Sequence, residues 1–246
     1  MISNIFNIFF FNPIYNGLIL LIDNFSWVDM GIAVILITLV VKILMLPLTK
    51  KSIKLQLQTK KIEPQLKEIK EKYSDNKEEQ ARLIMDLYKE NDLNPLAGIF
   101  IMFIQIPVIF ALYFVVLKGG LPEVNTDILY SFINAPEHIN ILFLGLINMT
   151  EKSLILALLA GISQYIQISL ILPKMKPTDP NNRNFKDDLA KSMSLQMKFV
   201  MPILITFISY HLPSAIALYW ITSNIFTVLQ EFFVKRKMEE KVVEIY

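Results

Sequence analysis

The sequence predicts an all-α membrane protein: a bundle of five transmembrane helices with a cytosolic helical hairpin and a short N-terminal interfacial helix. The chain of 246 residues is 54% hydrophobic and 19% charged, whereas an average soluble domain is about 45–50% apolar and about 25% charged. The run 96–117 is apolar on every side except at Gln105, and soluble helices are usually apolar on one face only. Finally, 21 of the 24 lysines and arginines lie in three segments, 50–89, 174–198 and 235–241.

The lengths of the apolar runs set the predicted spans, because a helix needs about 20 apolar residues to cross about 30 Å of hydrocarbon. The predicted spans are 30–49, 95–117, 153–172, 199–213 and 214–234. The remaining segments are an N-terminal segment (1–29), a cytosolic hairpin (50–94), an extracytoplasmic loop (118–152), a cytosolic loop (173–198) and a basic tail (235–246).

The three basic segments determine the predicted orientation, because loops rich in lysine and arginine stay in the cytosol. Five spans place all three on one side if the N-terminus lies outside and the C-terminus in the cytosol. The N-terminal segment lacks a basic region, so we expect no cleavable signal peptide. Apolar residues recur at helical spacing in 13–25, which predicts an interfacial helix on the outer face.

The hairpin is predicted from two apolar stripes within 50–94, a segment that holds 20 of the 46 charged residues. The stripes consist of Leu66, Ile69 and Tyr73, and of Ala81, Ile84 and Tyr88. Between them, Asn76 and Glu79 have the spacing of a capping box, which marks a helix start. The alternative is a solvated, charged linker, but the regular stripes favour paired helices.

Lys42 is the most informative residue, because it lies inside an apolar span. A charge at the centre of a membrane helix costs about 2.5–3.5 kcal/mol on insertion scales, and such residues usually face a bundle interior or a water-filled cavity. The alternative is that Lys42 extends to the cytosolic interface, since Lys50 follows within about 12 Å along a helix. The cavity interpretation is favoured, and Thr38 lies one turn earlier on the same face.

Other polar or aromatic residues occur inside the predicted spans. They are Gln105 in span two, Gln164 and Gln167 in span three, and Tyr219, Trp220, Ser223 and Asn224 in span five. Each alone is more often an interhelical contact, and the two aromatic residues fit an interfacial anchor as well as a groove wall. Together with Thr38 and Lys42 they predict a polar groove that attracts acidic ligands.

Several function classes are excluded or disfavoured by what the sequence lacks. The chain has no cysteine, so disulfides, thiolate metal sites and a thiol nucleophile are absent. It has neither a phosphate-binding G-x-x-x-x-G-K-[ST] motif nor a G-x-G-x-x-G motif. His138 and His211 have no ligand-like partners, and the Gly161-x-Ser163 sequence lacks a second glycine and an evident base. We therefore expect no cofactor, no metal and no catalytic residues.

Ordered sequence blocks resemble the YidC family of bacterial membrane protein insertases. The blocks begin with Lys42 through Pro47, Ile62-Glu63-Pro64, Glu71-Lys72-Tyr73 and Leu87-Tyr88-Lys89-Glu90. They continue with Asn94-Pro95-Leu96, Gln105-Ile106-Pro107, Ala111-Leu112-Tyr113, Met201-Pro202, Leu212-Pro213, Leu218-Tyr219-Trp220 and Ser223-Asn224. The match covers about residues 13–235 and resembles the family's short core form. It departs at Lys42, where arginine is usual, and at Ala215, where the family often has glycine.

The resemblance implies a membrane protein insertase and chaperone in the bacterial cytoplasmic membrane. Nascent membrane proteins would enter a groove open to cytosol and lipid and then leave sideways into the bilayer, without nucleotide hydrolysis. The groove residues implied in this sequence are Thr38, Lys42, Gln105, Gln164, Gln167, Tyr219, Trp220 and Asn224. The implied partners are nascent membrane proteins and lipid, with the ribosome and the general secretion translocon as further candidates and no DNA.

Two other functions remain open from the residues. A small-solute transporter or channel would also place polar residues in several spans, but the odd number of spans and the absence of an inverted repeat disfavour it. The other is a structural partner of a translocation channel.

Overall fold

The computed structural model describes residues 2–93, 97–119, 121, 123–171 and 185–243. The chain divides into two compact units, which we call the first unit (residues 1–43 and 107–232) and the second unit (residues 44–106 and 233–246).

Helices make up most of the described chain. The first six are α1 (Ile2–Phe6), α2 (Asn12–Asn24), α3 (Met30–Leu44), α4 (Leu46–Lys61), α5 (Glu63–Lys72) and α6 (Lys77–Glu90). The others are α7 (Ala97–Lys118), α8 (Leu154–Ile171), α9 (Phe185–His211) and α10 (Ser214–Val243). The shorter elements are a π-helical stretch (Asn7–Phe11), a 3-10 turn (Thr126–Ile128) and the antiparallel strands β1 (Leu142–Phe143) and β2 (Ile147–Asn148).

A few of these helices have the length and hydropathy of membrane spans. Within the described residues, Asn4–Asn24 and Leu154–Ile171 are long and apolar enough to cross a membrane. Met30–Leu44 and Leu46–Ile53 together form a third candidate, bent by 58°. A mostly helical fold with apolar helices that can span a membrane is therefore confirmed, and the five-helix bundle stays a prediction.

The N-terminal helix is longer than the predicted interfacial helix at 13–25. Its helical structure begins at Ile2 and passes through Pro13, which lies in the first turn of α2. Pro13 has no N–H to donate to the preceding turn, and this turn, Asn7–Phe11, is π-helical. The N–H of Asn12 donates to the carbonyl of Asn7, which is a π-helical hydrogen bond that carries the helix across this point.

Two other helix boundaries differ from the prediction. The predicted span 30–49 breaks near Met45, because Pro47 has no N–H to donate to the carbonyl four residues earlier. Helix α9 begins at Phe185, inside the predicted loop 173–198, rather than at 199. Residues 94–96 and 172–184 lie outside the described residues.

Two buried polar side chains join α2 to the loop that follows α7. Tyr15 and Asn16 are 0% and 1% exposed. Their partners in the loop are the backbone groups of Gly119 and Asn125 for Tyr15, and of Ile128 and Tyr130 for Asn16, at 2.7–3.0 Å. Because buried backbone groups need partners, these two residues hold the loop against α2.

The segment 139–153, which we call the N-terminal clamp, binds the first turns of three helices. The N–H of Met30 in α3 donates to the carbonyl of Asn140 at 2.8 Å. In α10, the N–H groups of Ser214 and Ala215 donate to the carbonyls of Glu151 and Met149 at 2.7 and 3.1 Å. In α8, the hydroxyl of Ser153 accepts from the N–H of Leu156 at 3.3 Å. These donors have no partner inside their own helices, so α3, α8 and α10 begin at the same end of the first unit.

The second unit contains the predicted pair of helices. Ile62, Leu66 and Leu93 form its buried cluster, against which Ile84 and Tyr88 pack. The predicted cap is present, since Asn76 accepts a hydrogen bond from the N–H of Glu79 at 3.1 Å. The carboxylate of Glu79 instead accepts from Arg82 at 2.6 Å, and this contact raises the pKa of the Arg82 guanidinium.

We predict that Asn16→Ala destabilises the first unit, because it leaves the buried carbonyl of Ile128 and N–H of Tyr130 without partners. An unsatisfied buried group costs about 1–3 kcal/mol. Thermal unfolding in detergent measures the change. The matched control is Asn24→Ala, since Asn24 also lies in α2 but is exposed and bonds only to its own helix at Leu20. Equal melting temperatures for the two variants would contradict the prediction.

Candidate functional site

Lys42 contacts a polar side chain on another helix rather than solvent alone. Its Nζ donates to Oγ1 of Thr227 in α10 at 3.3 Å, and the side chain is half-buried. The Thr227 hydroxyl in turn donates to the carbonyl of Ser223 at 2.8 Å. Thr38, one turn before Lys42, is 1% exposed and donates to the carbonyl of Val34 at 2.6 Å. The polar residues of α3 therefore face the interior of the first unit.

Helix α10 supplies the polar surface that Lys42 contacts. Beyond its first residue, Ser214, the buried polar residues described in α10 are Ser223, Asn224, Gln230 and Glu231, each less than 9% exposed, and Thr227 lies between them. Ser223, Thr227 and Glu231 follow one another at four-residue spacing, so they share one face of the helix. Helix α10 thus carries one continuous polar stripe, which is turned inward.

A second contact joins this stripe to α8. Nδ2 of Asn224 donates to Oγ of Ser163 at 2.9 Å, and Ser163 donates to the carbonyl of Ala160 at 2.8 Å. Hydrogen bonds therefore connect α10 to α3 through Thr227 and to α8 through Asn224. Both contacts lie within one turn of α10.

The two glutamines of α8 lie elsewhere, in an open cavity of about 340 Å³ between α8 and α9. Its walls are Gln164, Gln167, Ile168, Ile171, Met197, Met201 and Ile205. Oε1 of Gln167 is buried and accepts no hydrogen bond in the described part of the chain. About one turn earlier in α8, at Gly161, α8 and α9 approach closely, because an added Cβ would overlap the Thr206 hydroxyl. No hydrogen bond among the described residues joins these glutamines to the Lys42 contact.

The two aromatic residues of α10 differ in their surroundings. Tyr219 is 1% exposed and belongs to the main hydrophobic cluster, whereas Trp220 is half-buried and packs against that cluster. Tyr219 is hydrogen-bonded to Ser223, which begins the polar stripe. Gln105 is half-buried and lies in the second unit, two residues before Pro107 on α7.

Sequence reasoning missed two residues of this arrangement. Thr227 was not selected, although its four-residue spacing from Ser223 is a helical signal that points to it. Ser163 was considered only as part of a nucleophile motif, because nothing in the sequence shows which residue faces Asn224. Within the described residues, no group of three or more His, Cys, Asp or Glu side chains could hold a metal ion.

Comparison with known proteins identifies the family. The family model described as "60Kd inner membrane protein" matches residues 21–241. The chain belongs to this family. It is 30% identical over 209 residues to "Membrane protein insertase YidC" of Fusobacterium nucleatum, which covers 85% of this chain and 87% of the relative. The proposed resemblance to YidC-type insertases is thereby confirmed.

Two other relatives carry the same printed name. The protein of Oceanobacillus iheyensis is 31% identical over 219 residues, which are 86% of this chain and 76% of the relative. The protein of Francisella philomiragia is 29% identical over 206 residues, which are 84% of this chain but 32% of the relative. The chain thus spans most of the length of some relatives and about a third of others.

We predict that the Asn224–Ser163 hydrogen bond couples α10 to α8. In a double-mutant cycle of Asn224→Ala and Ser163→Ala in detergent, the coupling energy should be about 0.6–1.7 kcal/mol, the range typical of hydrogen bonds between membrane helices. The matched cycle pairs Asn224→Ala with Ser153→Ala, since Ser153 also lies in this unit but bonds to the N–H of Leu156. Additive effects in the first cycle would show that the contact does not stabilise the protein.

Proposed function

We propose that this protein is a membrane protein insertase in the bacterial cytoplasmic membrane, which receives nascent membrane proteins and releases their apolar helices into the bilayer. The observation that carries the proposal is the Lys42–Thr227 contact, in which a cation of the otherwise apolar helix α3 binds the inward polar stripe of α10. Membership of a family whose members are named insertases supports it.

The proposed mechanism lowers the barrier that a polar tail meets in hydrocarbon. A peptide group without a hydrogen-bond partner in the bilayer core costs several kcal/mol. The side chains of Lys42, Thr227 and Ser223, with water among them, would form a groove that shortens this path. The apolar helix of the substrate then leaves sideways, driven by the burial of its own surface in lipid.

The substrate-binding groove in this proposal keeps five of the residues predicted from the sequence, Thr38, Lys42, Tyr219, Trp220 and Asn224, and adds Thr227 and Ser163. Gln164 and Gln167 are not part of it, because they line the cavity between α8 and α9. Lys42 attracts acidic residues in a translocating tail, and no nucleotide is hydrolysed. The energy comes from partitioning of the substrate helix, for which insertion scales give favourable values for Leu, Ile, Phe and Val.

The proposed topology has five spans, an external N-terminus and a cytosolic C-terminus. The N-terminal clamp supports it, because three helices that begin at one end of the first unit run in the same direction through a membrane. Because loops rich in lysine and arginine stay in the cytosol, the segment 50–94 and the basic tail are proposed to lie there. The ribosome and the general secretion translocon are proposed partners on the cytosolic side. The positive charge of the basic tail favours binding to ribosomal RNA or to anionic lipid.

We predict that Lys42→Ala slows insertion of substrates whose translocated tail is acidic. Two unit charges 4 Å apart attract by about 4 kcal/mol at an effective dielectric of 20, so even a partly screened contact is worth about tenfold in rate. The measurement is protease protection of a single-span substrate in vesicles from cells depleted of the native insertase. Lys42→Arg should retain activity, because the charge is kept.

The controls separate charge from folding. Lys118→Ala removes an exposed lysine at the end of α7 and should leave insertion unchanged. A substrate with a neutral tail should depend less on Lys42 than the acidic one. Equal insertion of the acidic substrate by the wild type and Lys42→Ala would contradict the electrostatic role.

A further inference from the structure

The turn between β1 and β2 presents apolar side chains outward. Leu142, Leu144 and Leu146 are 41%, 65% and 83% exposed; with Gly145 they form what we call the leucine turn. Phe143, between them, points the other way and covers Gly31 at the start of α3, where an added Cβ would overlap its ring. Exposed apolar residues in a continuous patch mark an interaction surface more often than isolated ones do.

The backbone of the leucine turn is held in an unusual conformation. Leu144 has φ of 53° and Gly145 has φ of 71°. The left-handed region suits glycine or asparagine, and leucine occupies it rarely. Asp29, which is 6% exposed, fixes the turn by accepting from the N–H of Leu144 at 2.9 Å and from the N–H of Ile32 at 2.8 Å. A constrained backbone therefore keeps an apolar side chain outward, and such strain often marks function.

The leucine turn lies where spanning helices begin. It is part of the N-terminal clamp, which binds the first turns of α3, α8 and α10. Helix α8, a candidate membrane span, starts with Leu154 and Ile155, which are 57% and 65% exposed. These residues face outward, as a spanning helix does toward lipid, and the clamp that contains the leucine turn leads directly into them in sequence.

A second exposed apolar group lies close in sequence to Asp29, the residue that binds the turn. Trp27 is 65% exposed and lies two residues before Asp29, which binds the turn. The ring of Phe25 lies 6.1 Å from that of Trp27. Tryptophan is enriched at the interface between hydrocarbon and water, because its ring is apolar and its N–H can bind the headgroup region.

We propose that the leucine turn, together with Trp27, inserts into the interfacial region of the lipid bilayer and anchors the N-terminal clamp at the membrane surface. The occupant is lipid, because the clamp that carries the patch leads directly into the candidate span α8, and because the patch combines aliphatic side chains with an indole. The proposal does not depend on the insertase function. It concerns the position of the clamp, from which three helices enter the membrane.

The chain has no cysteine, so one introduced cysteine can carry a polarity-sensitive fluorophore at a chosen position. We would label Leu146→Cys, and as a matched control Glu137→Cys, an exposed residue of the same loop. The full chain is reconstituted in phosphatidylcholine nanodiscs with or without lipids brominated near the headgroup. The probe at 146 should emit at shorter wavelength and be quenched about twofold, while the probe at 137 is not.

Two results would overturn the proposal. One is emission at 146 that matches the water-exposed probe at 137 and does not change with brominated lipid. The other is emission at shorter wavelength without quenching, which would place the turn against protein, such as a second copy of the chain. Because Leu146 is 83% exposed, its replacement removes little packing, and unchanged thermal unfolding of the labelled protein confirms that the fold is intact.

Discussion

The central constraint on this structure is that a polar group inside hydrocarbon must find a polar partner within the protein or in enclosed water. Lys42 lies in a candidate span, and in the proposed membrane arrangement its contact with Thr227 in α10 meets this constraint. Because α10 also contacts α8 through Asn224, one helix holds polar groups from two others. The inward orientation of α3 and α10 follows from this requirement, and it is the physical basis of the proposed groove.

The N-terminal clamp meets the same requirement at the ends of helices. Each helix begins with N–H groups that lack intrahelical partners, and the clamp supplies carbonyls and a hydroxyl to α3, α8 and α10. Tyr15 and Asn16 do the same for the loop that leads from α7. Helix packing within the first unit therefore depends on specific polar contacts at one end. The opposite end of the polar stripe carries Gln230 and Glu231.

Much of the fold and part of the site followed from sequence because they depend on local pattern. The hydropathy pattern predicted apolar helices. The spacing of Asn76 and Glu79 predicted the helix cap that the structure contains. The bend near Met45 was missed because one proline does not reveal whether a helix breaks or continues: Pro13 lies within a continuous helix, while Pro47 follows a break. Ser163 and the clamp were missed because their partners are distant in sequence, so only the folded chain brings them together.

The sequence also grouped residues that the structure separates. Gln164 and Gln167 share a helix with Ser163, yet they line the cavity toward α9 rather than the Lys42 contact. Gln164 points about 100° away from Ser163, whereas Gln167 points only about 40° away but lies one turn further along the helix. Residue type and spacing alone therefore do not say which neighbour each one meets. Ser163 therefore contacts α10, while Gln164 and Gln167 line the cavity between α8 and α9.

The central claim is that nascent chains occupy the polar interior beside α10, and site-specific photo-crosslinking tests it most directly. A benzophenone amino acid would replace Trp220, which is half-buried, or Ile225, which is 52% exposed and points about 140° away on the same helix. The account predicts that a ribosome-bound membrane protein crosslinks strongly to the probe at 220 and weakly to the probe at 225. Equal crosslinking at both positions, or none at 220, would contradict it.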